Sequence, residues 1–448
     1  RAPGERGMSL PILSGARDWP QVLLARAADG PVEDLAMAEA GGAWTAFGRA
    51  TAELTPEAVI HTVAESGLRG LGGAGYPAGA KWRDCVSRPD PVRYVVANGF
   101  EADPGAQLDR ALMERDPHLV IEGLAIAAWA VGAEQAIIAV SSSAPAAAER
   151  LNVAIDEAAE AGYIGRSVDG PSLEIEVRRL TGSFTVGEET VLLRALEGQR
   201  AQPDQRPPYP TRRGLWGKPT VVHNVKTLAA VPWIVANGAG AFGSLGEAEW
   251  PGTTLVQLGG SVKRPGIAEV PFGTRLQEIV DGPGGGATGT LKAVLVGGPT
   301  GGFLPPDALD TPLTYDALRK AGALGGSSTL MALDDTVCLV DLATLMTRFL
   351  SDSASGKTIP DRIGIRRLAE LGTALTTGHT RPGDRELMTS LAADMRAAAL
   401  SGLEADAGNP LLSVMRYFAP ELDAHAERGE CPAGVCQPIR IVVPRLHD

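Results

Sequence analysis

Residues 67–82 read GLRGLGGAGYPAGAKW: six glycines, two aromatics, and only Arg69 and Lys81 as charges. Glycines at this density let the backbone take positive φ and bring bare N–H groups close to a ligand. Successive N–H groups form a concave nest for anions, and a lysine just downstream can neutralise a phosphate. The stretch is not a Walker A loop, because no Gly-Lys-Ser/Thr closes it, and Pro77 interrupts the helix start that a GxGxxG dinucleotide turn requires. A flexible glycine turn is the bland alternative; the glycine density with a lysine attached favours a cofactor loop.

Upstream, Thr55-Pro56-Glu57 reads as a capped helix start that runs to about Glu65 and feeds the loop. Downstream, VRYVVA (92–97) is a β-branched strand ending in the polar run NGFEADPG (98–105), at the strand end where open α/β sheets place ligands. Helix His118–Val131, strand Gln135–Val140, helix Ala144–Ala161 and strand Leu173–Arg178 follow. That alternation predicts a doubly wound α/β domain. Gly187-Glu188-Glu189-Thr190 opens a further apolar-periodic helix, where paired acids can simply complement the helix dipole. From about Gly252 to Gly302 the pattern changes to short strands and turns. Residues 335–420 read as amphipathic helices, a small bundle. Residues 1–55 hold no chemical constellation, with short surface helices expected over Val32–Ala40 and Ala43–Ala52.

A length of 448 suggests about three domains. With 44% hydrophobic and 21% charged residues the chain is ordinary for a globular protein, and its net charge of −12 argues against a nucleic-acid surface. The longest apolar window, Ile121 to Val140, is broken by Glu122, Glu134 and Gln135, so no transmembrane segment is expected. The first residues lack a signal-peptide core. Four unevenly spaced cysteines point to a reducing, cytoplasmic setting, with peripheral attachment to a membrane-bound complex left open.

The glycine loop, GEET (187–190) and WGKPTVVHNVKT (216–227) together resemble the FMN- and NADH-binding flavoprotein subunit of respiratory complex I. Relatives occur in NAD-linked hydrogenases, formate dehydrogenases and electron-bifurcating enzymes, and the similarity runs from about residue 55 to the C-terminus. The resemblance implies an α/β fold: an N-terminal helical extension (1–55), a Rossmann-like FMN/NADH domain (56–245) and a small ubiquitin-like, SLBB-type β-grasp domain (246–334). A C-terminal helical bundle (335–420) and a tail (421–448) complete it. It implies flavin and dinucleotide contacts from Gly70, Gly72, Gly73, Lys81, Asn98, Glu101, Phe184, Gly187, Glu188, Glu189, Asn224 and Thr227. Tyr76 stands where an aromatic stacks on adenine. Arg206 could pair with a dinucleotide phosphate, and Tyr209 either packs on a base or covers a core. Asp103 keeps an acid where a ribose diol could bind, which disfavours a 2′-phosphate and favours NADH over NADPH. His223 replaces a family asparagine and reads as a hydrogen-bonded structural residue.

The chain also departs from that family. A [4Fe–4S] cluster requires four thiolates. The matching positions hold Ser355, Thr358, Asp361 and Ser401, so no cluster is expected. Asp84 replaces a second stacking aromatic and would repel a phosphate; Phe100 and Leu71 replace polar family residues. Near the end, His425, Cys431 and Cys436 have spacing compatible with tetrahedral zinc, with Cys338 as fourth ligand. Alternatively Cys338 is a small buried residue and the tail pair is unmetallated. Cys85 has no identifiable partner.

The expected function is a subunit of an NAD(H)-linked oxidoreductase complex. It would pass electrons through FMN between NADH and a thioredoxin-like [2Fe–2S] subunit or a ferredoxin, with no side chain acting as acid or base. The alternatives are a redox-silent structural subunit and a flavin or nucleotide sensor.

Overall fold

Along β1 (Tyr94–Gly99), Val95 and Ala97 enter one core and Val96 enters another on the opposite face. A strand covered on both faces needs a continuous apolar run, and such strands belong to parallel sheets. β2 (Gln135–Ser141), β3 (Glu174–Leu180) and β4 (Thr220–Asn224) join it in a fully parallel sheet of order β3-β2-β1-β4. Helices Pro117–Val131 and Pro145–Glu160 cover one face, and helix Glu189–Leu196 the other. Chain order reverses beside β1, since β2 lies on one side and β4 on the other. The crevice outside their carboxyl ends is where such sheets bind ligands.

This computed structural model describes residues 10–15, 19–165 and 172–436. Thr55 caps helix Pro56–Glu65 by accepting the Ala58 amide at 3.2 Å, as its sequence predicts. The segment expected as surface helix Ala43–Ala52 forms as Thr45–Glu53, but it buries Ala46, Phe47 and Ala50 in the main core. Nor does the N-terminal region stand apart as an extension. Ile12 bridges Ile267, and the amides of Val22, Leu23 and Leu24 all donate to the buried Glu269 carboxylate at 2.7–3.0 Å. A buried carboxylate with three amide donors has its charge met by hydrogen bonds.

Glu269 belongs to a second, five-stranded sheet. Its order is Gly302–Leu304, Leu291–Val296, Thr329–Asp334, Thr253–Gly260, Gly266–Pro271, and only the pairing of Thr329–Asp334 with Thr253–Gly260 is parallel. Ala293, Leu295 and Phe303 from this sheet share one core with the C-terminal bundle, built on helices Leu339–Ser353, Ile365–Thr377, Asp384–Ala398 and Asn409–Tyr417. No described helix is long and apolar enough to cross a membrane. Residues 1–9 and 437–448, part of the expected extension and tail, lie outside the described residues.

Candidate functional site

The glycine loop is closed by its own backbone: Gly70 N donates to Tyr76 O at 2.9 Å. Pro77, expected to interrupt a helix, instead stands immediately before helix Ala78–Val86 with φ −59°, a value the proline ring sets in advance. Gly73 has φ +109°, and a Cβ there would lie 2.9 Å from the Gly326 Cα, so the loop touches the second domain through bare backbone. Arg69 does not face a ligand. It donates to Glu249 O at 2.9 Å and lies 4.7 Å over the Trp250 ring. Thr227, expected on the cofactor, instead sits behind the loop, fully buried, where its hydroxyl accepts the Leu71 amide at 2.9 Å.

In front of the loop, outside the carboxyl ends of β1 and β4, lies a cavity of about 870 Å³. That size lies within the range of cofactor sites. Every other residue expected on flavin or dinucleotide lines it, from Gly70 and Lys81 to His223 and Asn224. Tyr76 and Tyr209 are about half exposed on its rim.

Helix Ala78–Val86 carries Lys81, whose Nζ donates to Glu189 Oε2 at 2.8 Å and to Val222 O at 3.1 Å. Arg206 reaches Glu189 Oε1 at 3.0 Å. Burial works to raise the Glu189 pKa, but the two cations outweigh it and hold the carboxyl below its ordinary range. Glu188 caps its helix through the Thr190 and Val191 amides, so the paired acids divide the work: one serves the helix, the other the cavity. His223 accepts a hydrogen bond from Trp82 Nε1 at 2.9 Å, and burial followed by the Lys81 charge drives its pKa well below the ordinary value. It is a neutral structural imidazole.

Two expectations change. The Asn224 amide is committed internally: Nδ2 donates to Asp109 Oδ2 at 2.6 Å and Oδ1 accepts the Lys226 amide at 2.9 Å. It shapes the cavity floor rather than offering a free edge. Asp84 is not a bare repulsive charge, because Thr211 Oγ1 donates to it at 2.6 Å and Arg212 pairs with it at 3.3 Å. The Thr211 hydrogen bond leads the causes that lower its pKa. Sequence reasoning misses buried Lys226, within 3.5 Å of Asp109, although it lies inside the motif at 216–227.

Glu101 follows β1 with φ +44° and accepts the Asp109 and Arg110 amides at 2.8 and 3.1 Å. Burial, then the Asp109 carboxylate, push its pKa up from 4.5 to about 7. The neutral form is favoured in the folded chain, so this contribution to stability is full below pH 4.5 and is lost as pH rises through about 7. The melting temperature of Glu101→Gln, which stays neutral, should therefore gain on the parent between about pH 5 and about pH 8. A constant difference across that window would show that Glu101 does not titrate there.

Two further constellations lie in the bundle. Cys338, His425, Cys431 and Cys436 bring one ligand atom each to within 4.8 Å of one another. Cys338 Sγ lies 3.7 Å from Cys436 Sγ and 3.4 Å from His425 Nε2, while His425 Nδ1 bonds Glu421 O at 2.8 Å. That backbone bond places the proton on Nδ1 and leaves Nε2 free as a ligand. Tetrahedral zinc with bonds near 2.3 Å sets sulfurs about 3.8 Å apart, so the donors fit one such ion. The second constellation, around Ser355, Thr358, Asp361 and Ser401, contains oxygen donors only; Ser355, Asp361 and Ser401 line the main cavity.

Comparison with known proteins gives two family matches: the Nuo51 FMN-binding domain over residues 63–233, and the NADH-ubiquinone oxidoreductase-F iron-sulfur binding region over residues 341–425. The NADP-reducing hydrogenase subunit HndC of Solidesulfovibrio fructosivorans is 39% identical over 86% of this chain and 79% of its own length. The second F subunit of the NADH-quinone oxidoreductase of Rhizobium meliloti is 37% identical over 88% of this chain and 94% of its own. Among solved structures, a chain of the NAD⁺-reducing [NiFe]-hydrogenase in the H2-reduced state superposes with a TM-score of 0.80 at 32% identity, covering 92% of this chain and 68% of that one.

Proposed function

The chain belongs to the family of NADH-quinone oxidoreductase F subunits, and we propose that it is the FMN-bearing, NADH-handling component of a multisubunit oxidoreductase. The observation that carries this reading is the single cavity at the strand switch point, onto which the glycine loop, the Glu188–Glu189 turn and the end of β4 converge. The residues fit the group. Gly72 and Gly73 leave bare backbone on one wall, and the buried Asp103 Oδ2 has no donor among the described residues, where a ribityl or ribose hydroxyl could supply one.

When bound, FMN accepts a hydride from NADH and releases the electrons singly. The chain positions and excludes water. Lys81 and Arg206 give one wall positive charge suited to phosphate, tempered by Glu189 between them. Asp103 and the paired Asp84 favour NADH over a 2′-phosphorylated dinucleotide. No side chain transfers a proton.

We further infer that this member carries no [4Fe–4S] cluster. Its four cysteines are Cys85, Cys338, Cys431 and Cys436, and none stands in the loop or on the helix where Ser355, Thr358, Asp361 and Ser401 replace them. Three of those thiols with His425 hold single-ion spacing, which supports zinc there. Electrons would then leave FMN directly for a partner such as a thioredoxin-like [2Fe–2S] subunit or a ferredoxin, in a cytoplasmic complex.

Anaerobic titration of the purified chain with NADH tests the reading. Bleaching of the flavin band at one equivalent is the expected result. Bound flavin that NADH does not bleach would replace it with a sensor, and absence of flavin with a redox-silent scaffold.

A further inference from the structure

The carboxylates of Asp361 and Glu404 are 2% and 1% exposed, in a pocket that opens into the main cavity. One oxygen of each is fully satisfied. Asp361 Oδ2 accepts Ser355 Oγ at 2.5 Å and Gly356 N at 2.7 Å; Glu404 Oε2 accepts Thr358 Oγ1 at 2.9 Å and Leu400 N at 3.0 Å. The other oxygen of each, Asp361 Oδ1 and Glu404 Oε1, is buried with no hydrogen-bond partner. Thr358 ties the two acids together, since the same hydroxyl accepts the Asp361 amide at 3.1 Å. No lysine or arginine pairs with either acid among the described residues. The neighbouring Arg206 reaches the Leu400 carbonyl at 3.4 Å, but its charge is engaged by Glu188 and Glu189.

Burying two carboxylates without a counter-charge costs several kcal/mol per ion. A cation removes that cost, and the donor set selects its class. Carboxylate and hydroxyl oxygens are hard ligands that suit magnesium, manganese or calcium and are poor ligands for iron–sulfur chemistry. Two carboxylates with water completing the shell is the usual protein contribution to a magnesium-type ion.

We propose that Asp361 Oδ1 and Glu404 Oε1 bind one hard divalent cation in the pocket beside the dinucleotide cavity. This rests on the reading that no iron–sulfur cluster fills the same loop. The exchange of thiolates for Ser355, Thr358, Asp361 and Ser401 then converts a soft site into a hard one rather than merely erasing it. The ion would fix the Ser355–Asp361 loop against the Ser401–Glu404 turn, on the cavity wall next to Arg206.

The test is titration of the full-length, zinc-replete chain with Mn²⁺, followed by loss of the free-ion signal in room-temperature electron paramagnetic resonance. One equivalent should bind with a Kd of about 10⁻⁴ M or tighter. The isosteric variants Asp361→Asn and Glu404→Gln should each weaken it about tenfold or more while keeping the zinc content of the parent. No uptake, or uptake unchanged in both variants, overturns the proposal. Acid-labile sulfide assayed on the same sample separates the two readings. Sulfide at cluster stoichiometry overturns the cluster-free reading and this site with it. Absence of both sulfide and manganese uptake overturns the site alone.

Discussion

Gly123→Ala is expected to destabilise the first domain by about 3 kcal/mol or more, and Gly123→Val to prevent its folding. An alanine inside a helix ordinarily gains up to about 1 kcal/mol over glycine, so the sign is reversed here. The reason is geometric. A Cβ on Gly123 would lie 2.0 Å from the Leu228 carbonyl oxygen and 2.5 Å from its carbon, and backbone cannot swing aside as a side-chain tip can. Helix Pro117–Val131 is almost wholly buried beneath the sheet, so it cannot retreat either. The segment it would displace, helix Val225–Ala229, starts directly after Asn224 and carries Lys226, so the cavity floor would move with it. Gly240→Ala is the control, because nothing lies within 4 Å of its Cβ position and it sits in helix Ala239–Gly243. Equal melting temperatures for the two alanine variants would mean that the close helix crossing is softer than its geometry implies.

Much of this architecture is legible where the signal is local. The run VRYVVA announces a strand buried on both faces, and Thr55-Pro56 announces a helix start, because each pattern is written within a few residues. The glycine loop is legible for the same reason. What escapes depends on residues that meet only in the fold. Asp84 reads as a lone repulsive acid until Thr211 and Arg212 arrive from the far end of the domain. Asn224 reads as a free amide until Asp109 occupies it. Glu269 draws in the amides of Val22 to Leu24, and no pattern in residues 1–55 signals that strap. The degenerate loop is read through its missing thiols, whereas Glu404, which faces Thr358, lies in a segment with no motif of its own.

Cys338→Ser is expected to abolish zinc retention and destabilise the bundle by at least about 3 kcal/mol, a fraction of the roughly 10–16 kcal/mol that structural zinc contributes in small domains. Cys431→Ser should also lose the metal but cost less. Cys338 is 2% exposed and performs two tasks: its Sγ faces Cys436 and His425, and it caps helix Leu339–Ser353 by accepting the Asp341 amide at 3.4 Å. The opposing wall is equally committed. Glu421 holds His425 through its carbonyl, while its carboxylate accepts the Leu339 amide at 3.0 Å and pairs with Lys292 of the second sheet at 2.9 Å. A metal at this point therefore joins the helix start, the His425 turn and the sheet behind them, whereas Cys431, only partly buried, anchors just the terminal loop. Metal analysis and calorimetry on the parent and both serine variants decide the matter. A parent that contains no zinc and melts identically with and without chelator would leave four converging donors as a thiol–imidazole cluster, and the order of the two serine variants would then follow burial alone.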